Sequence, residues 1–341
     1  MQKFFQVKDV SNHASVSIKT VSRVINNEKN VAEATKTKVL ASIKKLGFKP
    51  NKSAQSLRSK RSYMIALLYD NPNKSYLADI QNGILQVCKK TGYNLVLQEC
   101  DYEDKNLSNS IINFVEDFKI DGLIVTPPLS DMDDFLNNLE HANIHYSIIA
   151  PSTKKVSSPY VSSNDYDASY EMTEKIISLG HKKIGFVKGH GMHSASSLRF
   201  NGFINAMDDY SLERNFDWII QGDFSFESGF QAGEKIFSSS EHPTAIFASN
   251  DSMAAGVMKS AQMKKILIPE KLSIVGFDDS PTAEQVWPSL STVKQPVIEM
   301  ALHAAKLLIG KFDGLTEETV SKEFKSEMII RESLKKLNLR D

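Results

Sequence analysis

From Tyr63 onward, short apolar runs alternate with stretches whose apolar residues recur at helical spacing. MIALLYD (Met64–Asp70), NLVLQEC (Asn94–Cys100), GLIVTPP (Gly122–Pro128) and YSIIA (Tyr146–Ala150) have the length and composition of buried strands. Helices are expected between them at Tyr76–Lys90, Leu107–Phe118 and Met132–His141; the first carries Leu77, Ile80, Ile84, Val87 and Cys88 on one side. A Ser/Pro-rich break follows at about 151–165, and the pattern then resumes. Helices are expected at Ala168–Leu179, Leu198–Met207, Gly229–Phe237 and Met253–Met263, with strands at Lys183–Gly189, Thr244–Asn250 and Ser273–Asp279. Strands separated by helices pair in parallel, because the return crossover needs a long connection. The break predicts two such sheets side by side. A ligand would bind at the carboxyl ends of the strands, between the two halves.

The first 62 residues differ in kind. They hold 14 Lys and Arg against 3 Asp and Glu, whereas the whole chain balances 41 against 41. The chain is therefore a basic segment of charge +11 joined to an acidic remainder of −11. Such a segment is drawn to phosphates in a salt-dependent way, and the acidic remainder would repel them. The alternative, a solvated Lys-rich tail, does not explain its periodic apolar pattern.

That pattern predicts three helices. The first runs from Val7 to His13, with Val7, Val10 and Ala14 on one face. Ser15 and Val16 make a turn. Ser17 is placed to cap a second helix ending near Ile25, whose Val21, Val24 and Ile25 face inward. The third spans about Ala34–Leu46, with Val39, Leu40, Ile43 and Leu46 as its core stripe, and ends at Gly47. Gln6 and Ala32 are weak N-caps for the first and third helices. Asn51–Ser62, NKSAQSLRSKRS, has only Ala54 and Leu57 apolar and too much like charge to fold alone. It reads as a linker able to become helical against a partner.

Other classes find little support. No apolar run approaches the length of a membrane span, and MQKFFQVKDV lacks the apolar stretch of a signal peptide, so a cytoplasmic protein is expected. Cys88 and Cys100 offer neither a disulfide framework nor metal spacing. No phosphate loop, dinucleotide fingerprint or hydrolase motif is present, which argues against an enzyme. GHGMH (Gly189–His193) supplies two histidines but no third ligand at a plausible spacing, so neither metal nor cofactor is expected.

VKDVSNHASVSIKTVSRVIN (Val7–Asn26) and VLASIKKLGFKPNKSAQSLR (Val39–Arg58) resemble the headpiece and hinge of the LacI–GalR family of transcription regulators. LGHKKIGFVKG, LRFNGF, FASNDSMAAGV and SIVGFDDS resemble the same family's effector-binding core. The resemblance implies a helix-turn-helix headpiece over 1–50, a hinge over 51–62, and a core over 63–341 like the type I periplasmic binding proteins. The core would have two parallel-sheet subdomains, one at about 63–163 and 294–321, the other at about 164–293 and 322–341. It further implies a repressor that binds near-palindromic double-stranded operator DNA as a homodimer, under control of a small-molecule effector. A sugar or oligosaccharide is the expected effector, and a purine the alternative. A solute receptor without DNA function would leave the headpiece unexplained. ESLKKLNLRD has too few heptads for a tetramerising coil.

By the same resemblance the second helix enters the major groove, where Ile18, Lys19 and Arg23 would reach base edges. Lys and Arg suit guanine acceptors and Ile18 a thymine methyl. Ser17, Thr20, Ser22 and Asn26 would contact phosphates, which position without specifying. Leu57, with Ala54 on the same hinge face, would wedge into the minor groove. In the core, Arg199, Asn250 and Asp278 would bind effector, with Tyr76 and Phe224 as aromatic surfaces and His193 on an effector-contacting loop. Asp251 is expected to cap the helix after Asn250. Ala150 stands where family members often carry an acidic ligand contact, which leaves the effector's identity open.

Overall fold

The computed structural model describes residues 5–25, 31–48, 61–71, 73–151, 158–313 and 321–337. The chain divides into two compact units, Met1–Ser62 and Tyr63–Asp341.

The first unit contains α1 (Val7–Ala14), α2 (Ile18–Ile25) and α3 (Glu33–Leu46). Ser15 turns the chain with a left-handed φ of 49°. The Ser17 hydroxyl accepts from the Thr20 amide at 3.1 Å and so caps α2. Gln6 caps α1 poorly, but its amide donates to the Asp9 carboxylate at 2.7 Å, half of a capping box. Val10, Ala14, Val21, Val24, Val39 and Phe48 form the core. Leu40 does not join it: it is 48% exposed. One face of a helix recurs at three and four residues, so from Val39 the stripe passes through Ser42, Ile43 and Leu46, and Leu40 lies off it. Buried Ser42 donates to the Lys38 carbonyl and lies 3.0 Å from His13 Nδ1.

The second unit holds two parallel sheets. In chain order its elements begin with β1 (Met64–Tyr69), α4 (Lys74–Thr91), β2 (Asn94–Glu99), α5 (Leu107–Phe118), β3 (Gly122–Val125), a short helical turn at Leu129–Asp131, α6 (Asp133–His141), β4 (Tyr146–Ile149) and β5 (Tyr160–Ser163). Then come α7 (Asp165–Ser178), β6 (Ile184–Lys188), α8 (Ser194–Asp209), β7 (Ile219–Gln221), α9 (Phe226–Ile236), β8 (Ala245–Ala248), α10 (Asp251–Met263), β9 (Ser273–Val275) and α11 (Pro281–Gln285). The chain ends with β10 (Thr292–Lys294), α12 (Val297–Asp313), β11 (Lys322–Phe324) and β12 (Glu327–Ile329).

The first sheet has the order β11-β5-β4-β3-β1-β2 and the second β7-β6-β8-β9, parallel throughout. A third, antiparallel pair joins β10 to β12. The break expected at 151–165 is in part a strand: β5 extends the first sheet, its short YVSS run being too polar to stand out by periodicity. The last return to the second half also comes later than the 321/322 boundary. β11 pairs with β5, so the crossing falls between Phe324 and Glu327. Helix α12, apolar on most of its surface, packs against α4 beneath the first sheet. Gly83 permits that approach, since a Cβ there would collide with the Ile298 carbonyl. No helix among the described residues is long and apolar enough to cross a membrane.

Candidate DNA-reading face and effector cleft

Helix α2 has two faces. Val21 and Val24 are buried, while Ile18, 46% exposed, and Lys19 project outward. Ser22 and Arg23, four residues further on, continue that outward stripe and are half-buried. The hydroxyls of Ser17 and Thr20 hydrogen-bond each other at 2.8 Å at the helix start. Asn26, Ala54 and Leu57 lie outside the described residues.

In the second unit the loops after β1, β3, β6, β8 and β9 meet at the carboxyl edges of the two sheets, where a ligand binds in open α/β folds. Arg199, on α8 and only 4% exposed, organises this region. Its Nε donates to Asp165 at 2.7 Å and its Nη1 to the Ser249 carbonyl at 2.6 Å, with Asp278 at 3.5 Å. The guanidinium lies 3.8 Å over the Phe277 ring. Asp278 accepts from Gln295 Nε2 at 2.7 Å and from Asn73 Nδ2 at 2.8 Å. Ser163 donates to Asp165 and lies 3.2 Å from Gln295 Oε1. Arg199, Asp165, Ser163, Gln295 and Asp278 thus close a buried ring.

Besides the bonds of this ring, further contacts among the described residues cross between the halves. Asn73, the N-cap of α4, reaches Asp278; the Asp131 carboxylate accepts from the Ser194 amide at 3.1 Å; and Tyr102 meets His190 edge-on at 5.8 Å. The backbone is strained here, with φ of 112° at Asp278, 56° at Asp279 and 72° at Phe224. Phe224 packs against Gly189, where a Cβ would collide with its ring, and lies 5.5 Å from the His193 ring.

Asn250 is fully buried, and both ends of its amide serve the protein. Oδ1 caps α10 by accepting from the Met253 amide at 2.9 Å, and Nδ2 donates to the Phe224 carbonyl at 2.9 Å. The helix cap is therefore Asn250, not Asp251. Asp251 accepts from the Ser280 amide at 2.7 Å and from Thr292 Oγ1 at 2.6 Å. Asn250 thus holds the Phe224 loop. Asp165, Ser163, Gln295 and Asn73 escaped sequence reasoning. Asp165 looks like any first-turn acid of a helix, and Gln295 sits in a short crossover with no periodicity.

The electrostatics follow from burial. Desolvation, aided by Asp278, pushes the Asp251 carboxyl up to about 8. Desolvation and Asp165 raise Asp278 to about 6 against the opposing pull of Arg199, Gln295 and Asn73. His193 is held at about 4 by burial, His190 and Arg199, so its imidazole is neutral. The Tyr76 hydroxyl is raised by burial and then by Asp165. A carboxyl whose folded pKa is raised weakens the fold progressively as pH climbs from the ordinary carboxylate range toward the folded value. Stability is therefore expected to fall between about pH 5 and about pH 8, and Asp251→Asn to flatten that slope. Urea midpoints across the range measure this; an unchanged slope in the variant would reject it. Among the described residues no group of three or more His, Cys, Asp or Glu is placed to hold a metal.

Residues 6–51 match the family model described as bacterial regulatory proteins, lacI family, and residues 173–334 match a periplasmic binding protein-like domain. The chain is 30% identical over 336 residues to the HTH-type transcriptional repressor PurR of Vibrio vulnificus (strain CMCP6), covering 97% of this chain and 99% of that protein. It is 31% identical over 340 residues to the probable HTH-type transcriptional repressor ExuR of Bacillus subtilis (strain 168), covering 97% and 98%. A solved complex of the transcriptional regulator CelR with cellobiose superposes with a TM-score of 0.72 at 26% identity, over 96% of this chain and 99% of that one. The lac repressor dimer bound to operator and the anti-inducer ONPF shares the fold, with a TM-score of 0.80 at 24% identity over 98% and 100%. These relatives are repressors and regulators rather than enzymes. With an outward-reading helix in its first unit, a cleft between two parallel sheets in its second, and full-length likeness to such repressors, the chain belongs to the LacI family of bacterial DNA-binding transcription regulators.

Proposed function

We propose that this protein is a cytoplasmic repressor that binds near-palindromic operator DNA as a homodimer and releases or gains it on binding a sugar or oligosaccharide in the core cleft. The observation that carries the reading is the Asn73–Asp278 bond, which ties the start of α4 in one half of the core to Asp278 in the other, within the buried Arg199 ring that itself joins the two halves. A ligand with hydroxyls competing for Asp278 changes that bond, and with it the angle between the halves. The state of the core then biases the DNA-bound population, and linkage requires operator to alter effector affinity by the same factor. The cellobiose bound by CelR supports a sugar as the effector class. Arg199, Asp278, Tyr76, Phe224 and His193 are the proposed binding groups, with Asn250 holding the Phe224 loop.

On the DNA side Ile18, Lys19 and Arg23 are the proposed readers, and Ser17, Thr20, Ser22 and Asn26 the phosphate contacts, with Ala54 and Leu57 at the minor groove. Two copies reading two half-sites require a dimer surface. The core exposes Met263, Leu267 and Trp287 at 59%, 58% and 75%, and the Gln262 amide donates to the Trp287 carbonyl, joining them at one end of α10.

The test is selection of bound sequences from random DNA, followed by anisotropy titrations against salt. Sequence-preferring binding that weakens steeply with salt is expected; its absence would sink the regulator reading. Within that assay, Arg23→Ala and Lys19→Ala are each expected to cost about 1–3 kcal/mol and to relax preference at one base position. A uniform loss on all sequences, with the salt slope reduced by about 1, would reassign the side chain to a phosphate.

A further inference from the structure

We infer that Asn164 is a positioning residue that sets the resting angle between the two halves of the core, by pinning the first crossing between them to the last. Among the described residues the chain passes between the halves at three places: from β5 into α7, from β10 into α12, and between β11 and β12. Asn164 occupies the first passage, between Ser163 at the end of β5 and Asp165 at the start of α7. Its backbone amide donates to the Phe324 carbonyl at 3.2 Å and so extends the β5–β11 ladder by one bond. Its side chain serves another purpose. Asn is among the best N-caps, and Asn164 stands at the N-cap of α7, yet it makes no capping bond. Oδ1 accepts instead from the Ser326 amide at 2.7 Å, across 162 positions. Ser326 lies in the third passage, directly before β12. One oxygen has a local use and a distant use, and the distant one is chosen.

That choice bears on the angle. Hinges bend at a few residues between elements, while the hydrogen-bonded sheets on either side move as units. In the third passage β11 belongs to the first sheet through β5, and β12 belongs to the other half through β10. A rotation of one half against the other therefore alters the spacing of residues 164 and 326 without altering either ladder. The first and second passages also meet, since Ser163 Oγ lies 3.2 Å from Gln295 Oε1. Asn164 thus adds the third passage to a hinge whose other two strands are already joined. The positioning role stands on this geometry; its effect on operator affinity rests on the regulator reading above.

The test uses full-length protein with Asn113→Cys on α5 and Lys235→Cys on α9, both exposed positions, one in each half. The native Cys88 and Cys100 are buried. Spin labels on the new thiols, in protein diluted into unlabelled chains, report the distance between the halves by pulsed electron paramagnetic resonance. Asn164→Ala and Asn164→Ser are each expected to shift or broaden that distance. Ser caps helices as well as Asn does, but its oxygen ends one bond nearer the backbone and falls short of Ser326. Its urea midpoint should therefore match or exceed that of Asn164→Ala, while its distance should not return. Asn164→Asp, whose oxygen has the same reach, should keep the parent distance, and so should Ser326→Ala, because the donor is the backbone amide. Unchanged distances in both Ala and Ser variants overturn the inference. A Ser variant that matches the parent where Ala does not also overturns it, by making Asn164 a plain helix cap. Operator affinity, measured on the selected sequence, should change in the Ala and Ser variants by up to about tenfold, the weight of one neutral hydrogen bond. A shifted distance with unchanged operator affinity upholds the positioning role and counts instead against control of DNA binding by the core.

Discussion

Arg199→Ala is expected to lower the stability of the core by about 3–5 kcal/mol, seen as a fall in the urea midpoint at unchanged slope. The arginine is 4% exposed, so solvent does little to screen the loss. Its removal leaves Asp165 without its 2.7 Å partner and Asp278 without a nearby cation, and frees the Ser249 carbonyl. It also strips the stacked plane from Phe277. The cost should depend on pH in a definite direction. Arg199 holds the Asp278 carboxyl down, so without the guanidinium that carboxyl titrates higher in the folded state, and the deficit should grow as pH rises above the ordinary carboxylate range and shrink in acid. Arg199→Lys should recover only part of the loss, because one ammonium cannot serve a carboxylate, a carbonyl and an aromatic face in a fixed plane. Effector-induced stabilisation should disappear in both variants. A variant as stable as the parent at neutral pH, or one whose deficit does not vary with pH, would show that the ring does not depend on this cation.

Much of this architecture is legible in the sequence, and the gaps have physical reasons. The apolar runs at Ile65–Leu68, Leu123–Val125 and Ala245–Ala248 are buried on both faces of parallel sheets, and such strands stand out as continuous hydrophobic stretches. β5 and β11 lie at one end of the first sheet, are short and carry Ser, Lys and Glu, so neither periodicity nor composition marks them. Arg199 and Asp278 are visible because a charged residue beside apolar ones, or at the end of a strand run, is unusual. Asp165, Gln295 and Asn73 are invisible because their meaning is non-local. Asn73 finds Asp278 across 205 positions, and Ser163 finds Gln295 across 132. Asp251 misleads as the cap of α10 because Asn and Asp both cap helices, and the register of one residue depends on where β8 ends. Leu40 misleads for a similar reason, since an apolar residue one step off the stripe cannot be told from one on it without the helix phase.

Deleting residues 1–62 is expected to abolish sequence-preferring operator binding, a loss of at least about 10³-fold. The deletion removes α2 with Lys19 and Arg23, and all of the +11 segment. What remains is acidic by 11 charges and should be repelled by DNA at low salt. The truncated protein should still melt cooperatively, because Tyr63–Asp341 is a compact unit with its own buried clusters above and below each sheet. Effector binding should survive too, since every member of the Arg199 ring lies beyond Tyr63. The contrast between the two readouts is what discriminates. A solute receptor or an enzyme on this scaffold would keep its whole activity after the deletion, whereas a regulator loses one function and keeps the other. Mobility-shift and anisotropy measurements at several salt concentrations, alongside thermal shifts with sugars, supply both readouts. If the truncated core still selected a DNA sequence, the basic segment would not be the reading module, and the +11/−11 division of the chain would need another explanation.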